Sequence, residues 1–204
     1  MQGQLRLTGG RKLLSPRGSD TRPTTSRVRE AVMNILSSRL LGSRWLDLCS
    51  GSGVMGCEAL QRGAEMVLAV ERNSATAQIC ERNLEATRRG SDNDASIMVI
   101  RSEVLGWLSR GWDDLPFDLV YIDPPYGNGL YRPILDRLLS GPWLRAESLV
   151  ICEHAADDTP EAGDGWIEAD RRRYGSTGLL ILSPPERCHH DGTDSKPPQT
   201  GQSA

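Results

Sequence analysis

From Arg44 onward the chain alternates short apolar runs with stretches of helical periodicity, and this rhythm limits the fold more than any other feature. Strand-like runs are Trp45–Leu48, Met66–Val70, Ile97–Ile100, Phe117–Ile122 and Ser148–Cys152. Between them, Val54–Gln61, Ser74–Arg88, Val104–Arg110 and Leu130–Leu139 read as helices. Continuously apolar strands belong to parallel sheets covered on both faces. Strands alternating with helices imply βαβ units in a doubly wound α/β sheet, mostly parallel. The stretch from Trp166 to Leu182 breaks the rhythm. It reads as two strands around Gly175-Ser176-Thr177-Gly178, an antiparallel hairpin that ends the sheet.

Ahead of the alternation, residues 1–21 are glycine-containing and basic, with short alternating pieces such as Gln4-Leu5-Arg6-Leu7. They predict a small hairpin or ordered arm. Residues 22–183 read as one domain, which opens on a helix from Arg27 to Leu40. Val28, Val32, Ile35 and Leu36 recur there at helical spacing, with Thr25 or Ser26 as its cap. Residues 184–204 have almost no large apolar side chains and predict a disordered tail. His189 and His190 lie in that tail, outside any expected site.

Charge is unevenly distributed. Residues 1–44 carry nine Lys/Arg against two acids, a net of +7, while the remainder carries 15 basic and 25 acidic residues, a net of −10. A basic end on an acidic body suits a surface that meets phosphates. The cysteines at 49, 57, 80, 152 and 188 lack metal-ligand spacing and read as free thiols in a reducing compartment. No metal site is expected. No apolar run approaches a bilayer span and no secretory layout opens the chain, so the expectation is a cytoplasmic protein without a membrane partner.

Two loops carry chemistry. The first runs Asp47-Leu48-Cys49-Ser50-Gly51-Ser52-Gly53-Val54-Met55-Gly56. Its glycines meet the G-x-G-x-x-G spacing of a nucleotide-binding turn between strand and helix, and Glu71 ends the next strand. Glu71 can accept from the ribose hydroxyls of any adenosine ligand. Asp47 discriminates, because a carboxylate beside the glycines repels a pyrophosphate but suits the ammonium and sulfonium of S-adenosylmethionine (SAM). Ser50, Gly51 and Gly53 would line that ligand. Glu103, after the third strand, is the candidate acceptor for the adenine amino group, or else a helix-capping acid.

The second loop is Asp123-Pro124-Pro125-Tyr126, directly after a buried strand. Adjacent prolines stiffen it and hold Asp123 and Pro124 extended. An exocyclic amino nitrogen on a base is a poor nucleophile, since its lone pair is delocalised into the ring. If Asp123 and the Pro124 carbonyl each accept one of its N–H bonds, the lone pair turns toward a methyl donor. Such positioning contributes several kcal/mol, and the acceptors stabilise the charge growing on nitrogen. Tyr126 would stack on the base, worth roughly 1–3 kcal/mol.

Together these segments resemble the RsmD family, bacterial 16S ribosomal RNA guanine-N2 methyltransferases. The resemblance rests on Arg22-Pro23-Thr24-Thr25-Ser26-Arg27-Val28-Arg29-Glu30, on Asp47 to Gly53, on Asp123 to Tyr126 and on the Tyr174-Gly175-Ser176-Thr177 turn, and covers about residues 4–183. It implies a Rossmann-like SAM-dependent methyltransferase sheet with a reversed final strand, and a small N-terminal element that grips RNA. It also implies methylation of the guanine at position 966 of small-subunit RNA. Thr24 and Arg27 would then lie near the methionine end of SAM or the base, and Arg11, Lys12, Arg22 and Arg27 would meet the RNA. The partner would be 16S rRNA in the small subunit or an assembly intermediate, and the enzyme a monomer. Three departures stand out: Ser26 for the usual Asp, Ser50 for the usual Ala, and a shorter basic start around Gly9-Gly10-Arg11-Lys12.

Other readings keep part of this chemistry. An amino-methyltransferase could act on another nucleic-acid base or a protein amide, though no separate target-recognition domain is visible. An NAD(P)-dependent oxidoreductase would use the glycine loop but leave Asp47 and the proline loop unexplained. A non-catalytic RNA-binding protein would use the basic arm alone.

Overall fold

The computed structural model describes residues 5–16, 24–91, 94–125 and 129–185. Five parallel strands come first: β1 (Arg44–Leu48), β2 (Met66–Glu71), β3 (Ser96–Arg101), β4 (Phe117–Ile122) and β5 (Leu144–Ala155). The hairpin β6 (Ile167–Tyr174) and β7 (Thr177–Ser183) completes a seven-stranded sheet in the order β3-β2-β1-β4-β5-β7-β6. β7 enters antiparallel beside β5 and β6 forms the edge, as the broken rhythm predicts. The turn is tighter than expected. Only Gly175 and Ser176 lie between the strands, with Gly175 in the left-handed region a two-residue hairpin requires (φ 65°).

Helices α1 (Ser26–Ile35), α2 (Val54–Gln61) and α3 (Ser74–Arg88) share one apolar cluster with Trp45, Val67, Ala69, Leu119, Tyr121 and Ile151. Helices α4 (Val104–Leu108) and α5 (Tyr131–Ser140) share the opposite cluster with Leu46, Leu48, Val70, Val120, Ile122 and Cys152. Odd and even strand positions thus feed separate cores, the two-residue period of a sheet covered on both sides. On the second face Trp107 lies 4.7 Å from Trp143 between ring centroids, the tilted contact that aromatic quadrupoles favour.

Three elements differ from the sequence reading by more than one residue. Thr25 caps α1 by accepting from Val28 N–H, but the helix ends at Ile35 and a 3-10 turn, Ser37–Arg39, follows. α4 stops at Leu108, short of Arg110, with Ser109 as its C-cap and Gly111 at φ 79° beyond. β5 extends on both sides of Ser148–Cys152, because Glu153, His154 and Ala155 pair with β7 despite two polar side chains.

The N-terminal arm is docked on the domain. Arg6 and Lys12 form an antiparallel bridge, Leu7 N–H donates to the Arg11 carbonyl, and Leu7 and Leu13 are buried in the α1–α3 cluster. Of the predicted tail, residues 184–204, Pro184 is buried and Pro185 half-buried, and the part from residue 186 lies outside the described residues.

Candidate active site

The glycine loop leaves β1 and enters α2. Cys49, Gly51 and Gly53 hold φ of 62°, 54° and 74°, so the chain turns through the left-handed region three times in five residues. Gly53 is the N-cap of α2 and donates to the Ser50 carbonyl, while Ser50 N–H donates to the Val70 carbonyl. At Gly51 open space surrounds the position a Cβ would take. Asn83 of α3 ties the arm to this loop, donating to the Leu14 and Ser52 carbonyls and accepting from Leu14 N–H.

Asp47 is 2% exposed and accepts from Gly56 N–H in the first turn of α2 at 3.2 Å. Burial pushes its carboxyl up to about 7; the Gly56 bond opposes that rise and the charge of Glu71 adds to it. Glu71, half-buried, accepts from Gly51 N–H at 3.0 Å with one oxygen and from Asn73 N–H at 2.8 Å with the other. The acid thus braces the loop and the start of α3 at once. Glu103 takes the capping role: its oxygens accept from Leu105 and Gly106 N–H at the start of α4.

Asp123 follows β4, where its N–H donates to the Leu48 carbonyl at 3.4 Å. Its Oδ2 accepts from the Thr24 hydroxyl at 3.4 Å. Burial holds its carboxyl well above the usual carboxylate range, Glu153 and Asp47 push it further, and Thr24 pulls it back. Pro124 is buried and Pro125 half-buried. Tyr126 lies outside the described residues.

The Cys49 thiol reports how these acids converge. Burial is the main force raising it to about 12, and Glu71, Asp123, Asp47 and Glu103 each add to the rise. The bonds of Glu71 to Gly51, of Asp47 to Gly56 and of Asp123 N–H to the Leu48 carbonyl gather acids from β1, β2 and the end of β4 about one loop. Carboxyl ends of parallel strands, beside the crossover of strand order, are where open α/β sheets bind ligands.

Several supporting residues escaped the sequence reading. Glu58 of α2, fully buried, accepts from Thr8 N–H, the Thr8 hydroxyl and Arg29 Nε, and pairs with Arg62 at 2.7 Å. Arg29 also donates to the Thr24 carbonyl at 2.8 Å and the Arg6 carbonyl at 2.6 Å. The Arg29–Glu58 pair thus joins the arm, α1, α2 and the residue that touches Asp123. On β5, Glu153 accepts from the Tyr121 hydroxyl through its side chain and from the Tyr131 hydroxyl through its carbonyl. Their sequence signal was weak: a lone acid inside an apolar helix or strand.

The basic residues are more scattered. Arg11 is half-buried and donates to the Ala86 carbonyl at 2.8 Å, lying over Gly90. Lys12 is exposed on the arm, and Arg27 is exposed in the first turn of α1. Arg22 lies outside the described residues. Among the described residues no helix is long and apolar enough to cross a membrane.

With this geometry in view, the chain was compared with known proteins. The family model described as Conserved hypothetical protein 95 matches residues 3–183. Ribosomal RNA small subunit methyltransferase D of Escherichia coli K12 is 32% identical over 169 residues, covering 80% of this chain and 82% of that protein. The chain belongs to the RsmD family. Solved structures of the family carry the same sheet. The Escherichia coli protein yhhF superposes with a TM-score of 0.76 at 28% identity, over 90% of this chain and 99% of that one. HI0767 of Haemophilus influenzae gives 0.73 at 26%, over 90% and 100%. The family match spans the arm, the glycine loop, the proline loop and the terminal hairpin together.

Proposed function

We propose that this chain is an S-adenosylmethionine-dependent methyltransferase that modifies the exocyclic N2 amino group of a guanine in 16S ribosomal RNA. One observation carries the reading: Asp47, Glu71 and Asp123 are each hydrogen-bonded to the glycine loop or its flanks at the carboxyl end of the sheet, in a relative of a small-subunit rRNA methyltransferase.

The residues suit SAM. Open space at Gly51 leaves room for a ligand to approach the backbone. Glu71 keeps lone pairs for the ribose hydroxyls beyond those given to Gly51 and Asn73. Asp47 is buried, so it acts on a cation through its field and through the shape it gives α2, in place of the open contact its position in the sequence suggests. Ser50 and Gly53 shape the rest of the loop, and Glu103 would reach adenine only with lone pairs left over from capping α4. When bound, SAM supplies a methyl group on a positively charged sulfur.

The protein's part is to aim the acceptor. Asp123 and the Pro124 carbonyl accept the two N–H bonds of the guanine amino group and point its lone pair at the methyl carbon, while Pro125 keeps the loop stiff and Tyr126 stacks on the base. As the N–C bond forms, nitrogen becomes positive, and one of its protons passes to carboxylate. Thr24 fixes the orientation of Asp123. Residues 1–21 serve as a basic arm which, with Arg11, Lys12, Arg22 and Arg27, meets phosphates around the target; residues 22–183 form the catalytic domain and 184–204 a tail. The substrate is the small subunit or an assembly intermediate, and the enzyme works as a cytoplasmic monomer.

The test is label transfer from SAM to 30S particles, free 16S rRNA, DNA and ribosomal protein, followed by nucleoside mass mapping. N2-methylguanine in 16S rRNA is expected. Asp123→Ala should retain cofactor binding and lose transfer by at least about a hundredfold, as befits a positioned acceptor. Methyl groups on adenine, on cytosine or on protein would overturn the assignment.

A further inference from the structure

β4 and β5 run parallel with Ile122 in register with Cys152. Asp123 and Glu153 each follow this last pair directly, on neighbouring chains whose usual spacing in a sheet is about 4.8 Å. Asp123 meets Thr24, which stands just before α1, and Glu153 continues the odd positions of β5 that face α1 and is met by Tyr121 from that same side. Glu153 is 4% exposed, and the Tyr121 hydroxyl donates to its Oε2. Its backbone carbonyl is held by Tyr131, the first residue of α5 and the descending side of the proline loop. Glu153 is thus fixed from both flanks beside the residue that would clasp the substrate nitrogen.

Resting on the methyltransferase reading, we propose that Glu153 is a positioning residue which forms one proton-accepting unit with Asp123, held in place by Tyr121. In the methyl transfer the nitrogen lone pair forms the N–C bond, the C–S electrons go to sulfur, and nitrogen carries the positive charge. The proton it then sheds goes to Asp123 and is shared with Glu153, and water removes it after the product leaves. Each carboxylate raises the cost of charge on the other, so the pair takes up a proton more readily than a lone carboxylate would.

The groups facing Asp123 are known from each side. Asp47 of β1 and Glu153 of β5 disfavour its ionisation, and the Thr24 hydroxyl favours it. Tyr121 precedes it on β4 and is engaged by Glu153, and Cys49 lies near as a neutral thiol. Arg29, the cation next to Thr24, is committed to Glu58 and to two backbone carbonyls.

The experiment titrates Asp123 by carboxyl-carbon NMR in aspartate-labelled protein, for wild type, Glu153→Gln and Tyr121→Phe, and measures single-turnover methyl transfer to 30S particles against pH. Removing the neighbouring charge with Glu153→Gln lowers the Asp123 midpoint and moves the acid limb of the rate down together, by roughly one to two pH units. Tyr121→Phe removes the donor that favours ionised Glu153, moves the shared proton toward Glu153, and shifts Asp123 in the same direction by less. An Asp123 midpoint unchanged in both variants overturns the pairing, and a fall in rate with an unmoved acid limb reduces Glu153 to a structural role and overturns the proposal. If wild type transfers no methyl group to any RNA, the functional reading fails, while the NMR titration still decides whether the pair exists.

Discussion

The Thr24 hydroxyl meets Oδ2 of Asp123 at 3.4 Å across 99 residues of sequence, and the Thr24 carbonyl is gripped by Arg29 at 2.8 Å. The segment before α1 is thereby tied to the loop after β4, and the arginine that ties it is itself anchored on Glu58. A motif at the start of the domain thus orients a carboxylate that follows the central strand of the sheet.

Thr24→Val should slow methyl transfer modestly. A bond this long contributes about 1 kcal/mol at most, which caps the direct loss near fivefold. The pH profile is more telling. Thr24 favours the ionised Asp123, so its removal raises the Asp123 carboxyl and shifts the acid limb upward, opposite to Glu153→Gln. Rate measurements across pH check this, and a downward shift would contradict the geometry.

Glu58→Ala should destabilise the fold strongly. Arg29 is 4% exposed and Glu58 fully buried, so losing the acid strands a buried cation, at a cost of about 3–5 kcal/mol. Thr8 loses its acceptor as well. Urea unfolding should show the loss, and limited proteolysis should cut the arm between residues 5 and 14 faster. Wild-type stability with the arm still protected would mean that Leu7 and Leu13 hold the arm without the ion pair.

Asp47 makes stability and cofactor binding depend on pH. Its carboxyl sits at about 7 against an ordinary 3.8, so between roughly pH 4 and 7 the folded chain binds more protons than the unfolded one. Stability from this group is present at low pH and is lost as pH rises through that window, by a few kcal/mol in total. Asp123 adds a loss of the same sign, so the informative quantity is the difference from Asp47→Asn, which should flatten the curve. A cation bound nearby favours the ionised form, so SAM should bind more tightly as pH rises toward 7 and should release protons on binding. Calorimetry in buffers of different ionisation enthalpy measures that release, and none at pH 6.5 would detach Asp47 from the ligand.

The mostly parallel sheet, its antiparallel ending and the two loops were legible because each depends on local pattern. β1 and β4 are apolar on both faces, and the glycine and proline loops are set by residues whose backbone preferences do not wait for tertiary contacts. Polar residues buried by distant partners were not legible. Glu58 looks like one acid on an amphipathic helix with Arg62 four residues on, and its further value comes from Thr8 and Arg29, which no spacing links to it. Glu153 was missed for a related reason: β5 looked finished at Cys152, where apolarity ends, yet pairing with Leu179 of β7 carries the strand onward. Glu103 could be read as a ligand or a cap from its position alone, and only the N–H groups of Leu105 and Gly106 reveal the cap.

The glycine loop offers a test that separates shape from stability. At Gly53 a Cβ would sit 2.5 Å from the buried Cys80 Sγ, with φ at 74°. Gly53→Ala should therefore lower the melting temperature and weaken SAM binding together, as the start of α2 is pushed off α3. Gly51 is also left-handed, at φ 54°, but a Cβ there meets no protein atom within 4 Å. Gly51→Ala should cost about 1–2 kcal/mol through backbone strain alone. The added methyl group instead enters the space assigned to the cofactor, so affinity should fall tenfold or more while the fold persists. Thermal melts and calorimetry on both variants distinguish the cases, and a Gly51→Ala protein that binds SAM like wild type would remove this loop as the cofactor cradle.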